Sequence, residues 1–427
     1  MDFLHGIEVI EVSDGIRAIA TPRSSIIGLI GTAPTADVAA FPLNTPVLVF
    51  GPRQMEAIGT TGTLRDAYAA IYSQGVNLAV VIRVDEGVDD AATQANIVGD
   101  AIAGTGVWAF LAAESVLRVT PRILAAPAFT SNRPGGAANP VVAAMIPIAE
   151  RMRAVVVADG PNTTTPEAVT YIDDFDSDRL YVVDPFVRIY DPTALEAAGA
   201  ANLAATGGVA GGVGSALLTG DITGATAAIV TRPASAYVAG RISRTDLDRG
   251  FWWSPSNQVI DGIVGTARPI GFSLSDPQAE SNILNEGNVA TIVHRDGYRL
   301  WGNRTNATDP NWSFLSVRRT ADLIYDAIEQ GHLWAMDRPI SGQLIIDIRD
   351  GVQAYIDNLV ALGALLGGRV WFDPELNSQT QLQQGKLTLD FDIEPPAPLE
   401  RLTFRAHRNG AYYETLALEV AATSTLT

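Results

Sequence analysis

The chain has 427 residues, 47% of them hydrophobic and 18% charged, with a formal net charge of −18 and no cysteine. That length exceeds one ordinary core, so two or three domains are expected. The negative field excludes direct nucleic-acid binding, the missing thiols exclude disulfides and cysteine chemistry, and no apolar run approaches the roughly 20 residues of a membrane helix.

In chain order, "HGIEVIEVSDGIRAIAT" (5–21) has strand chemistry but no obvious neighbour, and its apolar phase slips between Val9 and Ile10, as at a bulge. No basic-then-apolar leader precedes it, so folding in the cytoplasm is expected. "SSIIGLIG" and "TPVLVFG" are short apolar runs ending in glycine, "TLRDAYAAIYSQG" has helical spacing, and "VNLAVVIRV" reads as a buried strand. The alternation continues through "GVWAFLAAESVLRV" (helix), "RILAAPAF" (strand), "NPVVAAMIPIAERMR" (helix), "AVVVAD" (strand), "TPEAVTYIDDF" (helix) and "RLYVVDPFVRIYD" (strand). Helices and strands at this interval predict a doubly wound, largely parallel-sheet α/β domain over residues 24–280. Residues 193–230, rich in alanine and glycine, read as a surface excursion from it.

The pattern changes beyond residue 281. "NVATIVHRDGYRLWGNRT" reads as two strands around Asp296-Gly297. One helix aligns Leu323, Ile324, Ala327 and Ile328 on a face; a second aligns Val352, Ile356, Leu359 and Leu362 and stops at a double glycine. In "KLTLDFDI" Leu387, Leu389, Phe391 and Ile393 alternate with polar residues, and "RLTFRAHR" places Leu402, Phe404 and Ala406 on the buried side of another strand. "AYYETLALEV" aligns Leu416, Leu418 and Val420 as a last strand. The overall class is α+β, with a 281–410 α+β domain following the α/β domain. Strand-like segments at both ends invite edge-to-edge pairing.

Catalytic and metal signatures are weak. The glycine-rich stretch 207–214 lacks the lysine of a phosphate loop, for Lys386 is the single lysine among 29 basic residues. Ser215 lacks the frame of a nucleophile elbow, and His5, His294, His332 and His407 lack metal-ligand spacing. Asp159 stands where an α/β enzyme keeps an acid, or simply opens a turn before Gly160. Arg241, Arg244, Asp246, Asp248 and Arg249, followed by Trp252 and Trp253, suit an ion-pair network better than a reaction centre. Arg318 and Arg319 read as solvated or paired side chains. No cofactor or metal is expected. Rival readings are an α/β hydrolase-like enzyme with an oligomerisation domain and a surface adhesin, the latter needing an export signal.

Several stretches, in order, resemble the contractile-tail sheath proteins of bacteriophages and of R-type bacteriocin-like particles. They are "FLHGIEVIEV", "GLIGTAP", "TPVLVFG", "PRILAAPAF", "PASAYVAGRISRTDLDRGFWWSPSN", "ILNEGNVATIVHRDGYRLWGNRT", "WSFLSVRR" and "GKLTLDFDIEPPAPLERLTFRAHR". The 193–230 segment is longer than that family's spacing leads one to expect. The resemblance implies a non-enzymatic structural subunit that polymerises as stacked, hexameric rings around an inner tail tube, between a baseplate and a tail terminator. Such a tube contracts from a metastable extended state to drive the inner tube through a cell envelope. It also implies assembly in the host cytoplasm, residence in the virion tail or a phage-tail-like particle, and two arms given to neighbouring subunits. The N-terminal arm (1–23) would include Ile7, Val9, Ile10 and Val12, and the C-terminal arm (411–427) Leu416, Leu418 and Val420. Leu387, Leu389, Phe391, Ile393, Leu402 and Phe404 would form the receiving sheet, while Arg241, Arg244, Asp246, Asp248 and Arg249 would supply ion pairs between subunits.

Overall fold

The computed structural model describes residues 19–191 and 229–424. Its centre is an eight-stranded sheet. In chain order the strands are β1 (Ile27–Thr32), β2 (Pro46–Val49), β3 (Ala79–Val84), β4 (Ile123–Ala125), β5 (Val155–Asp159), β6 (Leu180–Val183), β10 (Val289–His294) and β11 (Tyr298–Trp301). In space they run β11-β10-β6-β5-β4-β1-β3-β2. The contiguous ladders from β10 to β3 are parallel, and the two outermost strands are antiparallel.

β1, β3 and β5 are buried along their whole length, so both faces need cover. Alternate side chains divide between two cores. Leu29, Val81, Ala125 and Val157 face one layer with α1 (Leu64–Ser73) and α5 (Ser235–Arg249). Ile30, Ile82, Leu124 and Val156 face the other, with α3 (Pro140–Met152) and α4 (Thr165–Ile172). A further helix, α2 (Asp90–Val98), contributes Ile97 to that second layer. The doubly wound α/β expectation holds. Gly240 lets α5 approach α1: a Cβ there would lie 2.8 Å from Gln74 Cγ and 3.1 Å from Ile71 Cα.

Two expectations need correction. The sheet does not stop at residue 280, because β10 pairs in parallel with β6 and brings β11 with it around the Asp296-Gly297 turn, both residues at positive φ. The single strand expected over "RLYVVDPFVRIYD" is two, β6 and β7 (Val187–Tyr190), because Pro185 interrupts the ladder. β7 joins a separate antiparallel sheet with β8 (Ile229–Arg232) and β9 (Gly265–Thr266). β7 and β8 are antiparallel, with Tyr190 opposite Ile229. Ser215 and the 207–214 glycines fall outside the described residues.

After α6 (Glu280–Glu286), the remaining part is built on α7 (Leu315–Gly331) and α8 (Gly342–Ala361), packed through Leu323, Ile324, Ala327, Val352, Ile356 and Leu359. Leu362, expected on that face, is instead the exposed C-cap residue, one position past the helix end. A two-stranded antiparallel sheet, β12 (Gly367–Trp371) and β13 (Asp390–Glu394), lies against α8.

Candidate functional site

β12 and β13 present Val370, Phe391 and Ile393 to the α7–α8 core. A two-stranded sheet is marginal alone and gains from further strands. Beside it opens an apolar groove of about 410 Å³, whose lining includes Leu333, Met336, Val352, Val370, Leu389 and Phe391. Leu333 and Met336 are 77% and 67% exposed. Exposed apolar side chains gathered in one place mark an interaction surface.

Leu389 and Leu387 precede β13 and are half-buried. Leu402 and Phe404 depart from expectation: residues 401–408 form no strand, and these two side chains are 65% and 85% exposed. Their alternation suits a sheet, but among the described residues no strand pairs with them. The last segment departs further. Leu416, Leu418 and Val420 belong to a helix, α9 (Tyr412–Ser424), not a strand, and are exposed. "TLALEVAA" is rich in Ala, Leu and Glu, good helix formers, and without a sheet to pair with, local propensity decides.

Ile7, Val9, Ile10 and Val12 lie outside the described residues, but the chain that follows them is fixed in place. Ile19 packs against α7, where a Cβ on Gly331 would lie 2.9 Å from it. The Thr21 hydroxyl lies 3.0 Å from that of Tyr355 on α8. The carbonyls of Ser24 and Ser25 accept hydrogen bonds from Arg319 and Ser243. The chain therefore enters along the same α7–α8 body that carries the groove.

The charged residues build a seam. Asp322, Asp326 and Glu329, at i, i+4 and i+7 on α7, face arginines placed just before three consecutive parallel strands. Arg179, before β6, forks onto Asp322, with one arm at 2.8 Å. Arg153, before β5, reaches Asp326 and Glu329 at 2.6 Å each. Arg122, before β4, meets Asp326 at 2.6 Å. Burial raises the Asp326 pKa, against the opposing pull of Arg122 and Arg153. Arg318 bridges Asp322 and Asp178 and lies 4.4 Å from the Trp312 ring centre. Arg319 forks onto Asp246 at 2.5 and 2.8 Å.

Within one subunit the members of the charged block already have partners, Asp246 being buried while Asp248 and Arg249 stay exposed. Asp246 is buried and committed to Arg319 of its own chain. Arg244 pairs with Asp248 at 2.7 Å along α5, Arg241 approaches Asp248 at 4.0 Å, and Arg249 lies over Trp253. Arg318 and Arg319 are paired as expected, though buried rather than solvated. The acids of α7 escaped the reading of the sequence; their spacing in "ADLIYDAIEQ" was the available signal, but nothing local names partners up to 176 residues away.

Asp159 lies at the end of β5 and is fully buried. Its carboxylate accepts hydrogen bonds from the Ser235 amide (2.7 Å) and hydroxyl (2.5 Å), so it caps the start of α5 from across the sheet. Burial raises its pKa to about 6, against those hydrogen bonds. A carboxylate held this way serves the fold. Among the described residues no group of three or more His, Cys, Asp or Glu side chains could hold a metal ion, and no helix is long and apolar enough to cross a membrane.

Comparison with known proteins places the chain by family and by fold. Residues 100–306 match the family model of the phage tail sheath protein central domain, and residues 307–408 that of the phage tail sheath C-terminal domain. The chain is 37% identical, over 95% of its length and 96% of the relative's, to a putative prophage major tail sheath protein of Pseudomonas aeruginosa (strain UCBPP-PA14). It is 32% identical to the tail sheath protein of Escherichia phage P2, over 98% and 99% of the two chains. In fold it is similar to the helical sheath of the anti-feeding prophage in its contracted state, with a TM-score of 0.67 at 17% identity, covering 96% of this chain and 100% of the other. The contracted sheath complex of the extracellular contractile injection system PVC gives a TM-score of 0.63 at 15% identity, over 96% and 99%.

Proposed function

The chain belongs to the phage tail sheath family and is a structural subunit of a contractile tail sheath; from that premise we propose how it assembles and works. It polymerises as stacked, hexameric rings around an inner tail tube, between a baseplate and a terminator, after synthesis in the host cytoplasm. Residues 1–23 and 411–427 act as arms that extend the β12–β13 sheet of neighbouring copies. Such a contact joins one patch to a different patch and, when its rotation does not close, generates a helix. The subunit turns over no substrate, and the hydrolase-like alternative has no support among its relatives.

The observation that carries this reading is the two-stranded sheet with its apolar groove, followed by Leu402 and Phe404 bare to solvent in a strand-patterned segment. Strand addition supplies what that surface lacks: backbone hydrogen bonds for cohesion and alternating side chains for register. Contraction then exchanges contacts between subunits that move as rigid bodies about their arms, passing from a metastable lattice to a more stable one. A gain of about 2 kcal/mol per subunit, of the order of one charge-assisted hydrogen bond, multiplied over a tube needs no nucleotide.

Electron microscopy of the purified full chain tests this. Tubes are expected from it, and folded particles without tubes from chains lacking 1–18 or 409–427. Normal tubes from both truncated chains would end the arm reading.

A further inference from the structure

Sheet edges are liabilities in a protein that assembles by exchanging strands, because any open edge is a possible acceptor. Four edges bound the eight-stranded sheet and the β12–β13 sheet. That of β11 is covered by residues 257–260, through Asn257 N to Leu300 O (2.6 Å), Leu300 N to Gln258 O (3.0 Å) and Ile260 N to Tyr298 O (2.8 Å).

The edge of β2 carries a different device. Gln54, on the short helix Pro52–Met55, donates through Nε2 to the Leu48 carbonyl at 2.8 Å and accepts through Oε1 from the Phe50 amide at 3.2 Å. A residue of an added parallel strand standing opposite Val49 would make the same two bonds, donating to the carbonyl before it and accepting from the amide after it. The primary amide of Gln54 occupies that residue's place. Pro46, in the same orientation two residues earlier, has no N–H to offer. The guard covers an apolar run, Pro46 to Phe50, with Phe50 67% exposed.

The same arrangement recurs on β12. Gln353, on α8, accepts from the Val370 amide at 2.9 Å and donates to the Gly368 carbonyl at 3.3 Å, the two bonds of a parallel neighbour opposite Arg369. β13 differs. Asp390, Asp392 and Glu394 pair inward with Trp371, Arg369 and Gly367, so Phe391 and Ile393 turn their backbone groups outward. Among the described residues no side chain caps them.

We infer that Gln54 and Gln353 are edge guards, side-chain amides standing in for strand residues, which close β2 and β12 and direct an incoming strand of another copy to the outer edge of β13. The inference rests on the strand-exchange reading above and adds its acceptor.

Amide exchange on the full chain tests it. The Val370 and Phe50 amides should be protected already in free subunits, and Gln353→Ala and Gln54→Ala should each speed exchange at the freed amide by about tenfold or more. The Ile393 amide should be labile in subunits and at least about tenfold slower in assembled tubes. Gln54→Ala should also self-associate, about tenfold more tightly than wild type by sedimentation, with Phe50 regaining protection as concentration rises; two hydrogen bonds set that scale. Gln54→Glu, which leaves a charge on the edge, should stay unassociated. An Ile393 amide equally labile in tubes and subunits would overturn the choice of β13. Gln54→Ala that merely melts earlier, without associating, would reduce the guard on β2 to a local staple. If the wild-type chain forms no tubes, the assembly reading itself fails, and the guards are then judged on the sedimentation of free subunits.

Discussion

Two regions of the molecule handle their unsatisfied groups in opposite ways. Along the seam between α7 and the sheet, buried charges find partners in the same chain: Asp322 with Arg179 and Arg318, Asp326 with Arg122 and Arg153, Asp246 with Arg319. From β13 to the C-terminus the reverse holds, and apolar side chains such as Leu399, Leu402, Phe404 and Leu418 stand in solvent. The seam is what a fold needs to be one body; the exposed stretch is what a fold leaves for another copy. In this chain the buried charges hold the subunit together, while on the proposed assembly the exposed apolar surface is what neighbouring copies would cover.

The contrast is sharpest in stability. Asp322→Ala strands the buried Arg179 and leaves Arg318 only Asp178, and should cost about 3–5 kcal/mol, read as a fall in the denaturation midpoint. A loss below about 1 kcal/mol would mean that water had already weakened the seam. Asp159 gives the next effect, through pH. Its folded pKa, about 6, lies above the ordinary 3.8, so the folded state holds the proton more tightly. Its contribution is therefore fully present below pH 3.8 and is lost as pH rises to about 6, some ~3 kcal/mol in scale. Asp159→Asn should remove that slope, as chemical denaturation between pH 4 and 7 would reveal; an unchanged slope would place the titration elsewhere.

Smaller still is Gly240→Ala, which sets a methyl 3.1 Å from the backbone of α1 and should cost about 1–3 kcal/mol. At the far end of the scale, Phe404→Asp should leave the unfolding free energy within about 0.5 kcal/mol of wild type, because the side chain is largely in solvent. Tube formation should nonetheless fall. A Phe404→Asp chain that unfolds early would erase the contrast between the two regions.

How far the sequence announces all this follows the same division. The buried parallel strands were legible because short apolar runs such as "AVVVAD" bounded by turn residues have few alternatives, and the Asp296-Gly297 hairpin because its turn chemistry is local. That β10 joins β6 was not legible: parallel pairing joins segments about a hundred residues apart, and no local pattern records the partner. The seam was hidden for the same reason. The last segment misled because alternation of Leu416, Leu418 and Val420 fits a strand while "TLALEVAA" also fits a helix; a strand needs a neighbour to be chosen, and among the described residues none pairs with it.

The position of the arginines has a mechanical corollary. Arg122, Arg153 and Arg179 sit at the start of three adjacent strands, and all three are gripped by one helix. A pull on the C-terminal end of the molecule is thus delivered lengthwise into β4, β5 and β6 together. The three strands then move as one block, so the ladders between them are not opened bond by bond and the load falls as shear on the flanking β10–β6 and β4–β1 pairings.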